Sequence, residues 1–220
     1  MNFTLLQAAA AALPEQTEQQ IDLWELTLKG GIIMIPLALL SIIAIFVFAE
    51  RFVSIRKASK VDQNFINHVR EYIKENRIDA AIALCQAHGT SLSRMIEKGI
   101  KRMDRPLNDI QSAIENVGSI EVSKLEKGLP MLATIAGGAP MLGFLGTVTG
   151  MIRAFFNMSS AGNNLDITLL SSGIYEAMVT TVAGLTVGII AYFGYNYLVS
   201  RIEKVVLVLE ASTTEFMDML

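Results

Sequence analysis

The segment GIYEAMVTTVAGLTVG, residues 173–188, decides the fold. It lies inside an apolar run from Ile167 to about Ser200 in which Glu176 is the one carboxylic acid. A helix of that length rises about 50 Å, more than the ~30 Å hydrocarbon core of a bilayer. The run therefore predicts a membrane-spanning helix with an acid at membrane depth. Because such an acid is costly unless it faces protein or water, Glu176 indicates a functional site on an ion or proton path.

The same segment separates into two helical faces at ~100° per residue. The small and polar residues share one face: Glu176, Ala177, Thr180, Thr181, Gly184, Gly188 and Ala191. The opposite face collects Ile174, Met178, Val182, Leu185 and Ile189. Small residues let a second helix approach closely, whereas bulky ones suit lipid or a packed neighbour. Glu176 is thus predicted to head a hydroxyl-bearing stripe that faces protein or a cavity.

A second apolar segment, from Leu129 to Ile152, carries no charge and is rich in glycine and alanine. Taken as a helix, it places Thr147 near mid-membrane on a face of small residues: Ala136, Pro140, Gly143, Gly150 and Ala154. Close helix packing accounts for Gly143, Gly146, Gly150, Gly184 and Gly188 without any ion path, but it does not account for Glu176. Arg153 is expected at the outer end of this segment, where pairing with Asp166 is left open.

The distribution of charge predicts the orientation of the chain. The sequence is 52% apolar with a mean hydropathy of +0.44, which is typical of a membrane protein. Residues 51–127 hold 14 of the 18 basic residues, whereas residues 1–28 hold none and carry four acids. By the positive-inside rule, the basic segment is cytoplasmic and the N-terminus lies outside.

These observations predict an all-α membrane protein with three transmembrane helices, in which a long hairpin of the second and third helices extends into a helical cytoplasmic domain. Trp24, before the first span, suits either the membrane interface or an ordinary amphipathic turn. The predicted segments are an outer N-terminal tail with an interfacial segment (1–30), the first span (31–50), the cytoplasmic domain (51–128), the second span (129–156), a short outer loop (157–166), the third span (167–200) and a cytoplasmic C-terminal helix (201–220).

The cytoplasmic domain shows helical periodicity but no recognisable catalytic motif. After Pro106, one apolar stripe is predicted to contain Ile110, Ile114, Val117 and Ile120. The segment has neither a phosphate-binding loop nor metal-ligand spacing around His68 and His88, and Cys85 is expected to be a small buried residue. No catalytic residue, metal, cofactor or nucleic acid is therefore expected. The basic runs are interpreted as solvated faces or contacts with membrane lipids.

Two motifs resemble a known family. They are LGFLGTVTG, residues 142–150, and GIYEAM, residues 173–178, which is followed by TVAGL at 181–185. Together they are similar to the MotA/TolQ/ExbB proton-channel family, closest to its ExbB/TolQ branch. The layout of outer N-terminus, one span, cytoplasmic domain and helical hairpin matches over nearly the whole chain. The three-span count differs from the four-span flagellar-motor branch.

The resemblance implies a multi-pass protein of the bacterial inner membrane, with a periplasmic N-terminus and loop and a cytoplasmic C-terminus. Relatives form a pentamer whose second and third helices line a pore, and a dimer of a single-span ExbD- or TolR-like partner threads that pore. An Asp of the partner takes up protons, and the motion energises an outer-membrane process through a TonB- or TolA-like protein. Thr147 and Thr181 match the family's pore threonines and Glu176 its pore acid. Thr180 is an added hydroxyl, and Arg153 departs from the pattern.

The function predicted on this basis is a proton-channel stator subunit that converts proton motive force into mechanical work for TonB-dependent outer-membrane transport. A TolQ-like subunit of Tol-Pal envelope maintenance and a non-conducting scaffold for the partner are the alternatives. Glu176 is left with two roles, because a buried acid can relay protons or can be a permanent structural group hydrogen-bonded to a threonine of the neighbouring helix.

Overall fold

The computed structural model describes residues 30–59, 63–160 and 167–220, and these residues form helices without any strand. The predicted all-α class is therefore confirmed. The expectations for Trp24 and Asp166 and for residues 161–166 lie outside the described residues. In chain order the helices are α1 (Met34–Ala58), α2 (Gln63–Lys74), α3 (Ile78–His88), α4 (Ser91–Ile100), α5 (Leu107–Glu126), α6 (Leu129–Ser160) and α7 (Ile167–Met217).

Among the described residues, three stretches are long and apolar enough to cross a membrane, namely Met34–Ala58, Leu107–Ser160 and Leu170–Met217. The second of these combines α5 and α6, which meet at residues 127–128. Helix α6 continues to its end through residues 157–160, which the sequence had assigned to the outer loop. The hydroxyls of Ser159 and Ser160 both donate to the Phe156 carbonyl, at 2.9 and 3.0 Å, and so satisfy the last turn.

Helices α6 and α7 form the predicted antiparallel hairpin, and α1 packs against both of them. Pro140 lies inside α6, and its ring faces Gly188 of α7, where an added Cβ would lie 2.5 Å from Pro140 Cγ. The bulky face predicted for α7 is largely exposed in the single chain, as expected for residues that face lipid or another subunit. Its exposed members are Met178, Val182, Leu185 and Ile189. The hairpin thus presents small residues inward and large ones outward.

Helices α2 to α5 form a bundle around the last turns of α7. Its fully buried core includes Val69, Ile96, Ile114 and Phe216. At the membrane-side end of the bundle, the buried Arg51 of α1 donates from Nη1 to the Lys124 carbonyl at 3.0 Å and pairs with Glu50. A cation at the end of α5 satisfies a carbonyl that the helix leaves free, so α1 is joined to α5 there.

The predicted apolar stripe of α5 is wrong at one position. Ile120 is 56% exposed, and the buried residues at that level are Gly118 and Glu121. Seven residues after Ile114 the helix has made about two turns, so the buried face returns at position 121 and not at 120. Gly118 is buried because Met95 Cε would lie only 2.9 Å from a Cβ at that position.

Candidate functional site

The five glycines predicted to pack helices lie in the contact between α6 and α7. A Cβ at Gly146 would lie 2.3 Å from Thr180 Oγ1, and one at Gly184 would lie 2.6 Å from the Ala139 carbonyl oxygen. Gly143 and Gly150 likewise face the α7 backbone, and Gly188 faces Pro140. A Cβ at any of these five positions would meet the facing helix at 2.3 to 3.0 Å, so glycine lets the two helices approach closely and in a fixed register.

Two of the predicted threonines belong to the same contact. Thr181 Oγ1 donates to the Gly143 carbonyl at 3.0 Å, which is a hydrogen bond between the two helices. Thr180 is only 2% exposed and lies against Gly146, and its hydroxyl donates to the Ala177 carbonyl at 2.8 Å. Within one chain, Thr180 is therefore inside the hairpin and not on an open face.

Thr147 lies at the same level but on another side of α6. Its neighbours Gly146 and Gly150 face Thr180 and Ala177. Thr147 itself is half-buried and donates to the Phe144 carbonyl at 2.6 Å. It lines a shallow, open depression together with Val148, Met151, Ile152 and Phe155. The structure thus brings Thr180 and Thr181 together at the hairpin contact and leaves Thr147 on a surface that another chain could cover.

Glu176 pairs with Arg153 across the hairpin. Arg153 Nη1 lies 3.1 Å from Glu176 Oε1, and the Glu176 side chain is 27% exposed. The helix register explains this partner, since Gly173 contacts Ala154 and Glu176 comes one turn later on α7. The long guanidinium side chain spans that one turn. Asp166, the partner left open by the sequence, is outside the described residues.

The chain just before α1 covers the same carboxylate. Gly31 has a φ of +68°, which favours glycine, and a Cβ there would lie 2.0 Å from Glu176 Oε1. No spacing in the sequence indicates this contact, because Gly31 is 145 residues from Glu176. Arg153 could have been suspected, since it is the one cation between Leu129 and Ser160.

The pair joins a permanent donor to an acceptor. The Arg153 guanidinium is always a cation and only donates, and the Glu176 carboxylate accepts from it across the hairpin. Within the described ranges, no three His, Cys, Asp or Glu side chains come together as a metal site.

A second ionic cluster, which sequence reasoning missed, lies in the bundle of α2 to α5. The buried Glu121 carboxylate accepts hydrogen bonds from Ser91 at 3.0 Å, from Lys124 at 2.6 Å and from Arg94. Burial by itself raises the pKa of a carboxyl, but these hydrogen bonds and the charge of Arg94 outweigh it and lower the pKa of Glu121 to about 2. Glu121 is therefore a structural anion that joins α4 to α5.

Sequence comparisons agree with this architecture. Residues 87–211 match the model of the MotA/TolQ/ExbB proton channel family. The ExbB-like 1 biopolymer transport protein of Synechocystis sp. is 33% identical over 175 residues, which are 79% of this chain and 69% of that protein. An ExbB homologue of Methanothermobacter thermautotrophicus is 31% identical over 180 residues, 81% of this chain and 63% of that protein.

The Tol-Pal system protein TolQ of Haemophilus influenzae is 36% identical over 85 residues, 39% of this chain and 37% of TolQ. The chain thus spans about two thirds of the length of the two ExbB-type relatives and a smaller part of TolQ. The family match covers more than half of the chain. Its range, 87–211, contains all the glycine contacts between α6 and α7 described above. With three long apolar helices and this match, the chain belongs to the MotA/TolQ/ExbB proton channel family, whose members are energy-transducing membrane subunits.

Proposed function

We propose that this chain is the channel subunit of a proton-driven stator in the bacterial inner membrane. The observation that carries the proposal is the Arg153–Glu176 pair, which lies where two apolar, closely packed helices meet. An acid and a permanent cation lie there together with the threonine hydroxyls of the hairpin. A purely mechanical anchor would need only the small residues.

In the proposed mechanism, Glu176 accepts a proton from the outer side and releases Arg153. Hydroxyls both accept and donate, so Thr181 orients the proton at the hairpin contact and Thr147 does so on the face of α6 that a partner chain would cover. Thr180 supports this path from inside the contact. In the alternative role, Glu176 stays a carboxylate, and its contacts hold α6, α7 and the start of α1 together.

The complete device requires other chains. Glu176 is the one acid between Ile167 and Ser200, so a continuous path needs an acid from a partner. We propose a homo-oligomer, a pentamer by family resemblance, whose α6 and α7 helices surround a dimer of an ExbD-like single-span protein. The half-buried Thr147 and the depression beside it suit such a neighbour. A TonB-like protein then transmits the motion to outer-membrane transport.

The test is proton uptake into vesicles that contain the chain and its co-expressed single-span partner. We expect Glu176→Gln to reduce uptake at least tenfold, because an amide cannot exchange the proton. Arg153→Gln is expected to alter uptake without loss of assembly. Glu115→Gln is the matched control, since Glu115 is an exposed acid of α5 whose carboxylate accepts a hydrogen bond from Gln111 one turn away.

If assembly and uptake both survive Glu176→Gln, Thr147→Ala and Thr181→Ala, the proton-path proposal fails. A scaffold that does not conduct would instead show partner copurification with no uptake by the unaltered complex. Either result separates the channel from a structural role.

A TolQ-like role in Tol-Pal envelope maintenance is the second candidate, and the local similarity to TolQ favours it. The two roles differ in the phenotype of a deletion strain. Loss of TonB-dependent uptake supports the first role, whereas detergent sensitivity with normal uptake supports the second.

A further inference from the structure

A groove between α1 and α7 has an apolar part and a basic part that share Tyr197. The apolar part is a cavity of about 340 Å³ lined mainly by aliphatic and aromatic side chains, with Ala44 and Phe48 on α1 and Ile190 and Ala191 on α7. Gly194 also lines it and leaves room, because a Cβ there would lie 3.0 Å from Phe48 Cδ2. The cavity is open to a chain-like apolar ligand.

The length of the apolar part corresponds to one leaflet of a membrane. Its α7 wall runs from Val187 to Tyr197, a rise of about 15 Å, which is half of the ~30 Å hydrocarbon core. It lies in the half of α7 nearer to Arg201 and Lys204, the end that the positive-inside rule places at the cytoplasm. An acyl chain of the cytoplasmic leaflet has the same depth.

The basic part begins where the apolar part ends. It is a cavity of about 420 Å³ whose described lining residues include Arg56, Arg201 and Lys204 and no carboxylate. Arg201 Nε donates to Tyr197 Oη at 3.1 Å, and its guanidinium lies 5.1 Å from the Tyr197 ring centroid, so the terminal nitrogens remain available. Arg56 and Lys204 form no ion pair with any residue that the structure describes.

We propose that this groove binds an anionic phospholipid of the cytoplasmic leaflet, with one acyl chain in the apolar part and the phosphate on Arg56, Arg201 and Lys204. The order along the groove, apolar and then cationic, is the order of such a lipid. A free phosphate would leave the apolar part empty. A helix of a second copy inserted by an apolar face would leave the three cations without a counter-charge. Basic pockets between transmembrane helices suit anionic head groups for the same reason.

The test uses the full chain purified in detergent and supplied with phosphatidylglycerol or phosphatidylcholine in mixed micelles. Native mass spectrometry counts the lipids retained per subunit. We expect at least tenfold greater retention of phosphatidylglycerol. The triple variant Arg56→Gln/Arg201→Gln/Lys204→Gln should lower retention of phosphatidylglycerol to that of phosphatidylcholine.

The matched control removes the same number of charges elsewhere. Lys74→Gln/Lys98→Gln/Arg102→Gln changes cytoplasmic residues outside the groove and should leave retention unchanged. Ile190→Trp, at an exposed edge of the apolar part, should lower retention several-fold, whereas Ile189→Trp, exposed but outside the lining, should not.

Three outcomes would overturn the proposal. The first is equal retention of both lipids by the unaltered chain. The second is undiminished retention by the triple variant or by Ile190→Trp; if the subunit number of the triple variant changes as well, the groove is a contact between copies. The third is complete displacement of phosphatidylglycerol by inorganic phosphate, which would indicate a simple anion site.

Discussion

Cys85 lies inside the bundle of α2 to α5 and can be used to test whether that bundle is closed. It is 1% exposed, and burial, with a contribution from the charge of Glu97, raises the pKa of its thiol from 9.0 to about 12. The thiolate fraction at neutral pH is then about a thousandfold below that of an ordinary thiol. We expect maleimide to modify Cys85 very slowly in the folded chain and within minutes in denaturant, as measured by the mass increase.

An exposed cysteine provides the control for that measurement. Arg102→Cys in a Cys85→Ala background places a thiol on the exposed turn after α4, where modification should be fast. Equal rates for Cys85 and Cys at position 102 would contradict a closed bundle around Cys85.

Single residues also show how far the sequence could be interpreted. Glu176 could be identified because one acid interrupts a long apolar run. Burying an acid in a membrane is costly whatever the exact packing of the helix, so the sequence alone marks the position. Its partner Arg153 depends on the helix register, which the glycine contacts set to within one turn. Thr180 and Thr181 were placed on one broad face, but only the structure separates the hydroxyl buried at Gly146 from the one that bonds across to Gly143.

At the scale of helices, the contact of α6 with α7 predicts a sharp difference between glycines. Gly184→Ala would put a Cβ 2.6 Å from the Ala139 carbonyl oxygen, which the backbone cannot avoid without shifting. We expect this variant to lower stability by about 1–3 kcal/mol through overpacking, despite the better helix propensity of alanine. Thermal unfolding in detergent, followed by circular dichroism at 222 nm, measures the change.

Gly137→Ala is the matched control, because nothing lies within 4 Å of a Cβ at that position of α6. Its thermal midpoint should stay the same or rise, since alanine favours a helix by about 1 kcal/mol over glycine. Similar decreases for Gly137→Ala and Gly184→Ala would contradict the proposed difference.

Helix α5 shows what apolar periodicity leaves out. The sequence predicts the helix and its start after Pro106, because apolar residues recur every three or four positions. It then assigned Ile120 to the buried face, whereas the structure buries Glu121. Burial of the Glu121 carboxylate is stable because Ser91, Arg94 and Lys124 donate hydrogen bonds to it. Ser91 and Arg94 belong to α4, and the apolar periodicity of α5 does not indicate which residues of another helix it contacts.

At the scale of the whole molecule, Glu121 makes stability depend on acid. The carboxyl has a pKa of about 2 in the folded chain and an ordinary value of 4.5, so the folded state favours the ionised form. Its contribution, on the order of 3 kcal/mol, is complete above about pH 4.5 and is lost as the pH falls toward 2. We expect Glu121→Gln to lower the thermal midpoint at pH 7. The difference in thermal midpoint between this variant and the unaltered chain should become smaller from pH 5 to pH 3, because the unaltered chain loses its carboxylate there.

The comparison again uses Glu115→Gln, an exposed position on the same helix. It should follow the unaltered chain at each pH. A constant difference between Glu121→Gln and the unaltered chain from pH 7 to pH 3 would show that Glu121 does not cause the acid dependence.

Helix α7 runs from Ile167 to Met217 as one helix of 51 residues. Its length is about 76 Å, and Glu176 and the buried Phe216 stand about 60 Å apart along it. If a straight rod of about 60 Å is tilted by about 5° about one end, the other end moves by about 5 Å, close to the rise of one helical turn. If α7 pivots as a rigid rod about its Glu176 end, Phe216 in the bundle of α2 to α5 moves by about that distance, which is enough to exchange one set of side-chain contacts for the next.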